Sequence, residues 1–175
     1  MKKLFLLAVG LAMTLTACQK DEGLVSDGAT SQTITVTIPQ GMQTRATAAD
    51  FGNGAKIDRC LLQIYHSGTT PAKYGEQQSA TVQKGADGKL TATFNLRLVA
   101  QQTYDFVFWA DCSEAGYETD DLSAITLGSD ADYTGNDDKF DAFFLCKKDY
   151  TVTESFSETF TLRRPFGQLN VKTLD

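Results

Sequence analysis

Alternation of apolar and polar residues is the strongest pattern in the chain, and it predicts β-strands. Ile34, Val36 and Ile38 alternate with threonines until Pro39 ends the run. The same two-residue period extends over 90–98, directly after an Asp-Gly pair of the kind that favours hairpin turns. Both segments are therefore predicted to be strands with one face in a core and the other in solvent.

Shorter apolar runs, separated by polar or glycine-containing turns, predict the remaining strands. In residues 104–111, odd-numbered and even-numbered positions both carry apolar side chains, which is typical of a central strand covered on both faces. No segment holds the helical period over a long stretch. The pattern predicts an all-β fold, an antiparallel β-sandwich of about seven strands. The other predicted strands lie at 57–66, 79–83, 140–146, 151–162 and 166–173.

The first residues have the composition of an export signal. Two lysines precede an apolar run at 4–15, which is too short to span a bilayer, since spanning needs roughly 20 apolar residues. The run ends in Leu-Thr-Ala-Cys, which resembles a bacterial lipobox. Residues 1–17 are therefore predicted to be a lipoprotein signal peptide, with Cys18 as the lipidated N-terminus. The alternative is an ordinary secretory signal in which the cysteine is incidental.

The residues after Cys18 predict how the chain is organised and where it is displayed. Residues 18–32 are polar and predict a flexible tether, and 33–175 are predicted to form one β-sandwich domain. The tetrad Gln-Lys-Asp-Glu at 19–22 resembles the export signal of surface lipoproteins in the Bacteroidetes. It implies a lipid-anchored protein of the outer membrane that faces outward. The alternative is a charged tether that is simply soluble.

Charge and cysteine count narrow the classes of partner. The formal net charge is −6, and loss of Lys2 and Lys3 with the signal peptide takes it to −8. An acidic chain is repelled by nucleic acid, so no nucleic-acid partner is expected. The remaining cysteines, Cys60, Cys112 and Cys146, are either small buried hydrophobes or one disulfide with one thiol left over.

Little in the sequence points to catalysis. His66 is the only histidine, so a cluster of several histidines around a metal is excluded. The phosphate-binding, zinc-protease and serine-hydrolase motifs are all missing from the sequence. We therefore expect a protein that is not an enzyme and needs no cofactor.

One acidic segment has the spacing of a calcium loop. Asp130, Asp132 and Asp141 fall at the first, third and twelfth positions of a pattern like that of an EF-hand. The twelfth position is Asp where the pattern has Glu, and no helices flank the loop. A turn rich in Asp, Asn and Gly is the simpler interpretation.

A resemblance to a known family follows from the order of several segments. The chain is similar to the fimbrillin-type lipoproteins of Bacteroidetes, which are pilus subunits assembled by strand exchange. The matching segments are lipobox Cys18, the strand at 33–38, Thr44-Arg45-Ala46, the strand at 57–65, Tyr-Asp-Phe-Val-Phe-Trp-Ala-Asp at 104–111, and Leu-Arg-Arg-Pro-Phe-Gly-Gln-Leu-Asn-Val at 162–171. The resemblance implies a transthyretin-like β-sandwich.

The same resemblance gives the polar segment around Arg45 a role. In such proteins a trypsin-like protease cuts after an arginine here, so the bond between Arg45 and Ala46 is the expected cleavage site. The strand that carries Ile34, Val36 and Ile38 would leave with its lipid, and a strand of another fimbrial subunit would replace it. From the residues alone, an ordinary basic residue of an exposed loop is the preferred interpretation of Arg45.

The chain also departs from the fimbrillin pattern. Fimbrillins carry a second β lobe that supplies the donor strand, whereas this sequence stops at Asp175. A truncated member, a single-lobe acceptor and an uncut pilus anchor are all compatible with that. A different class of function also stays open, namely a surface module that binds a glycan or host ligand through the acidic loop at 113–138, with Trp109 and Tyr117 as stacking rings.

Overall fold

The computed structural model describes residues 28–39, 54–128 and 138–166 of the chain. Within these ranges the regular structure consists of β-strands and one short 3-10 turn at Asp138–Phe140. Seven of the described strands have four or more residues. The strands are β1 (Ala29–Ile38), β2 (Arg59–His66), β3 (Ala72–Lys73), β4 (Gln78–Thr81), β5 (Gln83–Lys84), β6 (Leu90–Val99), β7 (Thr103–Asp111), β8 (Tyr117–Glu118), β9 (Thr126–Leu127), β10 (Ala142–Thr151) and β11 (Phe156–Thr161).

Two sheets face each other, which confirms the predicted all-β sandwich. The first sheet has the order β11-β1-β6-β5, and the second has the order β10-β7-β2-β3 with β4 also paired to β2. The small strands β8 and β9 pair with each other. A single hydrophobic cluster contains inward side chains of both sheets, so the core lies between them.

The alternation in the sequence becomes the two faces of the first sheet. On β6 every second residue from Leu90 to Leu98 is buried, and the threonines, Asn95 and Arg97 between them are more exposed. The Asp-Gly pair before it forms the predicted turn, in which Gly88 has a φ of 81° and the Gly85 amide donates to the Lys89 carbonyl at 2.8 Å.

Strand β7 is the centre of the second sheet, as predicted. It lies between β10 and β2, and all of its residues except Thr103 are buried. Phe106 and Phe108 point into the main core, whereas Val107 and Trp109 belong to a second cluster on the opposite face. That second cluster also includes Leu122, so the chain that follows β7 contributes to covering the outer face.

The first strand begins earlier than the sequence pattern predicts. It starts at Ala29 and not at 33, so part of the predicted tether at 18–32 belongs to the sheet. Gly28 turns the chain into it with a φ of 118°, and the Gly28 carbonyl accepts the Ala100 amide at 3.2 Å. The extra residues pair with the far end of β6, from Ala29 opposite Val99 to Gln32 opposite Leu96.

The last two strands also differ from their predicted bounds. β10 extends to Thr151 through an irregularity at which Asp149 has a φ of 54°, whereas the predicted strand ended at 146. β11 begins only at Phe156, because Val152 instead forms backbone hydrogen bonds with Gln101 and Gln102, between β6 and β7. The strand predicted at 166–173 lies outside the described residues apart from its first residue.

One strand pair departs from the expected antiparallel arrangement. β11 runs parallel to β1, with Gln32 opposite Phe156 and Thr37 opposite Thr161. Every other pairing among the named strands is antiparallel. Parallel neighbours need a long connection, and here everything from β2 to β10 lies between the two strands in sequence.

Replacing Ile34 by Ala is expected to lower the free energy of unfolding by about 2–5 kcal/mol, the usual cost of emptying a fully buried aliphatic site. Ile34 is 0% exposed on the inner face of β1. The matched control is Thr35→Ala on the outer face of the same strand, expected to cost less than about 1 kcal/mol because it removes one cross-strand threonine pair. Urea unfolding of both variants measures the difference, and equal effects would contradict the assignment of the faces.

Candidate functional site

The first strand fills a groove between two other strands. β1 is antiparallel to β6, with Ile34 opposite Phe94 and Val36 opposite Ala92. Its other edge pairs with β11. Among the described strands, β11 has no sheet partner other than β1. The arrangement is therefore a strand inserted between two walls, and its own chain continues past Pro39 into residues outside the described ranges.

The three residues predicted to be exchangeable all point into this groove. Ile34 and Val36 are 0% exposed and Ile38 is 1% exposed, and all three belong to the main core. On the outer face, the Thr33 hydroxyl donates to Asn95 Oδ1 at 3.2 Å, and the hydroxyls of Thr35 and Thr93 lie 3.4 Å apart. The strand is thus apolar toward the core and polar toward solvent.

A fourth inward residue of β1 is polar. Gln32 is 1% exposed, and its Oε1 accepts the backbone amide of Leu98 on β6 at 3.1 Å. Its Nε2 donates to the Thr30 hydroxyl, which in turn donates to the Leu98 carbonyl at 3.4 Å. The sequence pattern did not reveal Gln32, because a polar side chain next to the aliphatic run is typical of the predicted tether at 18–32. Gln32 lies two residues before Ile34, and this spacing was the sequence feature that indicated an inward side chain.

The C-terminal end of β1 is hydrogen-bonded to the segment that follows β11. The Thr37 carbonyl accepts the Leu162 amide at 3.0 Å, and Leu162 is fully buried. The next residue, Arg163, forms an antiparallel bridge with Phe144 of β10 through two hydrogen bonds of 2.7 and 2.9 Å. The chain therefore crosses from the first sheet to the edge of the second at this point.

A partly buried ion pair lies beside this crossing. Arg164 Nη1 is 2.8 Å from Asp141 Oδ1, and the Gly54 amide donates to the other carboxylate oxygen at 2.8 Å. The Arg164 guanidinium also stacks on the Phe143 ring at 4.8 Å. Asp141, directly before β10, thus contacts both the segment that leads into β2 and the segment that follows β11.

That pairing bears on the calcium hypothesis. The carboxylate of Asp141 already contacts a guanidinium and a backbone amide, whereas Asp130 and Asp132 lie outside the described residues. In the part of the chain that the structure describes, no group of three or more histidine, cysteine or acidic side chains is placed to hold a metal ion.

The rings considered for ligand stacking are part of the second hydrophobic cluster. Trp109 is 5% exposed, its ring meets the edge of Tyr117 at 5.2 Å, and its Nε1 donates to Asp111 at 3.0 Å. Asp111 in turn binds Arg59 through two hydrogen bonds, of 2.6 and 3.0 Å, and this hydrogen bonding raises the pKa of Arg59. Trp109 therefore presents no open stacking face, whereas Tyr117 is partly buried.

The reactive side chains are dispersed. His66 is exposed at the end of β2, where it packs against the rings of Tyr74 and Tyr104. Cys60, Cys112 and Cys146 are free thiols, and burial raises the pKa of Cys60 and of Cys146. The structure therefore pairs none of these three cysteines and favours their interpretation as small apolar residues.

A polar depression of about 580 Å³ borders β3. Two side chains that line it bind the segment that follows β8. Lys73 Nζ donates to the Asp120 carbonyl at 3.2 Å, and Gln77 Nε2 donates to the Thr119 carbonyl at 2.8 Å. These groups have an intramolecular role, so the depression is a weaker candidate than the groove of β1.

Comparison with known proteins assigns the chain to a family. Residues 23–175 match the family of unknown function DUF6562. The chain belongs to this family. No curated protein matches it. Among solved structures, it is similar to a leucine-rich repeat protein from Bacteroides thetaiotaomicron VPI-5482, with 13% identity and a TM-score of 0.33 over 77% of this chain. This DUF6562 chain spans 12% of the length of that protein.

The described residues give one further observation on this DUF6562 member. Across 28–39, 54–128 and 138–166, no helix is both long and apolar enough to cross a membrane. The predicted signal peptide, Cys18, Arg45 and Ala46 all lie outside these ranges.

Replacing Arg164 by Met is expected to destabilise the DUF6562 chain by about 2–3 kcal/mol, because it leaves the Asp141 carboxylate buried without its cation. The control is Lys89→Met, which removes the partner of Asp87 in a pair where both side chains are more than half exposed. That control is expected to produce no measurable change. Thermal or urea unfolding measures both, and an unaffected Arg164→Met variant would contradict a structural role for the pair.

Proposed function

We propose that this protein is a pilus subunit that is assembled by β-strand exchange on the bacterial surface. A single observation carries the proposal. β1, the strand that precedes the Arg45 segment, is inserted between β6 and β11 with its row of aliphatic side chains in the core. A strand in this position is a separable part of the sandwich once the chain behind it is cut.

Departure of β1 would create two complementary recognition surfaces. The backbone amides and carbonyls of β6 and β11 that now face β1 would lose their partners, and unpaired strand edges bind extended chains. The sites of Ile34, Val36 and Ile38 would become an open apolar groove between these edges. An incoming strand with the same alternation would restore both the hydrogen bonds and the buried surface.

Cutting the linker does not by itself empty the groove. After cleavage at Arg45, β1 still pairs with β6 over ten residues and with β11 over six, so only its covalent tie to β2 is lost. Because a noncovalent strand is released to the extent that another strand competes for its place, exchange depends on a donor. A cut subunit therefore stays closed until it meets a partner, which protects it from nonspecific pairing.

The proposed partners follow from this mechanism. They are other fimbrial subunits, which supply or receive strands, and a protease that cuts between Arg45 and Ala46. Before the cut, the lipid on Cys18 holds the chain in the outer membrane; afterwards the lipid stays with β1 and the remaining chain enters the pilus. A pilus anchor is the uncut form of the same proposal, since it keeps both its lipid and its first strand.

The alternative, a surface module that binds a glycan or host ligand, receives less support. In this alternative Trp109 and Tyr117 would be the stacking rings. Trp109, however, lies in the second hydrophobic cluster, and its Nε1 donates to Asp111. The acidic loop at 113–138 remains as its only proposed surface.

Substitution of Arg45 by Ala tests the proposal in cells of the native host. We expect the wild-type protein recovered from the surface to begin at Ala46, whereas the Arg45→Ala variant begins at acylated Cys18 and does not enter pili, because the first strand cannot leave. Intact mass and N-terminal sequencing identify the two forms.

Arg97→Ala is the matched control, because Arg97 is an exposed arginine on the outer face of β6 and its loss leaves the linker unchanged. This variant is expected to be processed like the wild type. Release and pilus assembly of the Arg45→Ala chain would disprove cleavage at this bond. Acylated Cys18 as the only N-terminus, in a chain that cannot be cross-linked to pilus fibres, would disprove the proposed function altogether.

A further inference from the structure

The aliphatic row of β1 does not by itself define a register. Ile34, Val36 and Ile38 are similar in size and all β-branched, and each lies in a nearly fully buried site. A slip by one residue would turn them to solvent, but a slip by two would put each aliphatic side chain into the site of its neighbour. A groove that recognised only alternation would therefore accept a strand in more than one position.

Gln32 breaks this equivalence at one end of the groove. Its side chain is as buried as those of the aliphatic residues, and its Oε1 accepts the Leu98 amide of β6 at 3.1 Å. A slip by two residues would move this amide group to the site opposite Phe94, where the inward neighbours are apolar. A buried amide without a partner is strongly disfavoured, so only one register satisfies all four inward positions.

We propose that the groove of β1 selects its incoming strand through this amide position. This inference rests on the proposed function and deepens it by naming the partner. The partner strand carries Gln two residues before the first of three alternating aliphatic residues. It runs antiparallel to β6, as β1 does, because the Leu98 amide that donates to Gln32 lies at one end of the groove and the site of Ile38 lies at the other, opposite Leu90.

The chain's own C-terminal sequence does not meet this requirement. If Leu169 and Val171 took the sites of Ile34 and Val36, then Gly167 would lie at the site of Gln32 and Thr173 at that of Ile38. The opposite ends of the groove would both be poorly filled. We therefore assign the donor role to a strand with this Gln-led alternation, and not to residues 167–173 of a second copy.

Peptide exchange on the cut chain tests the selection. The full-length protein is cleaved at Arg45 with trypsin or at a protease site placed in residues 40–53, with β1 left bound. A fluorescent peptide of residues 28–39 is then exchanged in, and unlabelled peptides compete with it. The competitors are the native sequence, Gln32→Leu, the outward control Thr33→Leu, a peptide of identical composition with Gln32 and Ile34 interchanged, and the segment 165–175.

The native and Thr33→Leu peptides are expected to compete equally. Gln32→Leu is expected to be at least fivefold weaker, although it is more apolar. The interchanged peptide and the 165–175 segment are expected to be weaker by tenfold or more. Equal competition by Gln32→Leu or by the interchanged peptide would overturn the selection while leaving strand exchange intact. Strong competition by 165–175 would instead assign the donor to a second copy, and failure of every peptide to enter would overturn strand exchange as well.

Discussion

The first sheet depends on the two ladders that β1 forms. Among the described strands, β11 is joined to β6 only across β1, which contributes one antiparallel and one parallel edge. The row from Gln32 to Ile38 then fills the core beneath both neighbours. One strand near the start of the chain thus completes a sheet whose other wall is formed by the last described strand.

The second sheet is held by interactions in which β1 takes no part. A bidentate ion pair between Arg59 and Asp111 joins β2 to β7, and Trp109 Nε1 donates to the same carboxylate. Asp141 and Arg164 fix the start of β10 and the chain that follows β11. These contacts are buried or half-buried and their charges are paired, so they define local geometry without the first strand. In the proposed mechanism β1 is the strand that leaves, while these contacts stay in place.

Much of the fold follows from the sequence, because its strands bury one or both faces. The alternation of Ile34, Val36 and Ile38 predicted their inward direction, and the apolar run at 104–111 predicted a central strand. The pattern failed at Gln32, since the polar side chain is inward and finds its partner on another strand. It also failed to predict that β11 runs parallel to β1, because strand order is decided by tertiary packing. The partner of Asp141 is distant in sequence and has no local signature.

The separability of β1 is tested most directly by hydrogen exchange, measured by mass spectrometry on the intact chain and on the chain that has been cut in the linker and separated from β1 in mild denaturant, with no replacement strand added. We expect faster exchange only in Leu90–Val99 and Phe156–Thr161, the two strands that border the groove. Arg59–His66 and Thr103–Asp111 are expected to keep the protection they have in the intact protein. Loss of protection in all four strands would contradict it, because β1 would then be an inseparable part of the fold.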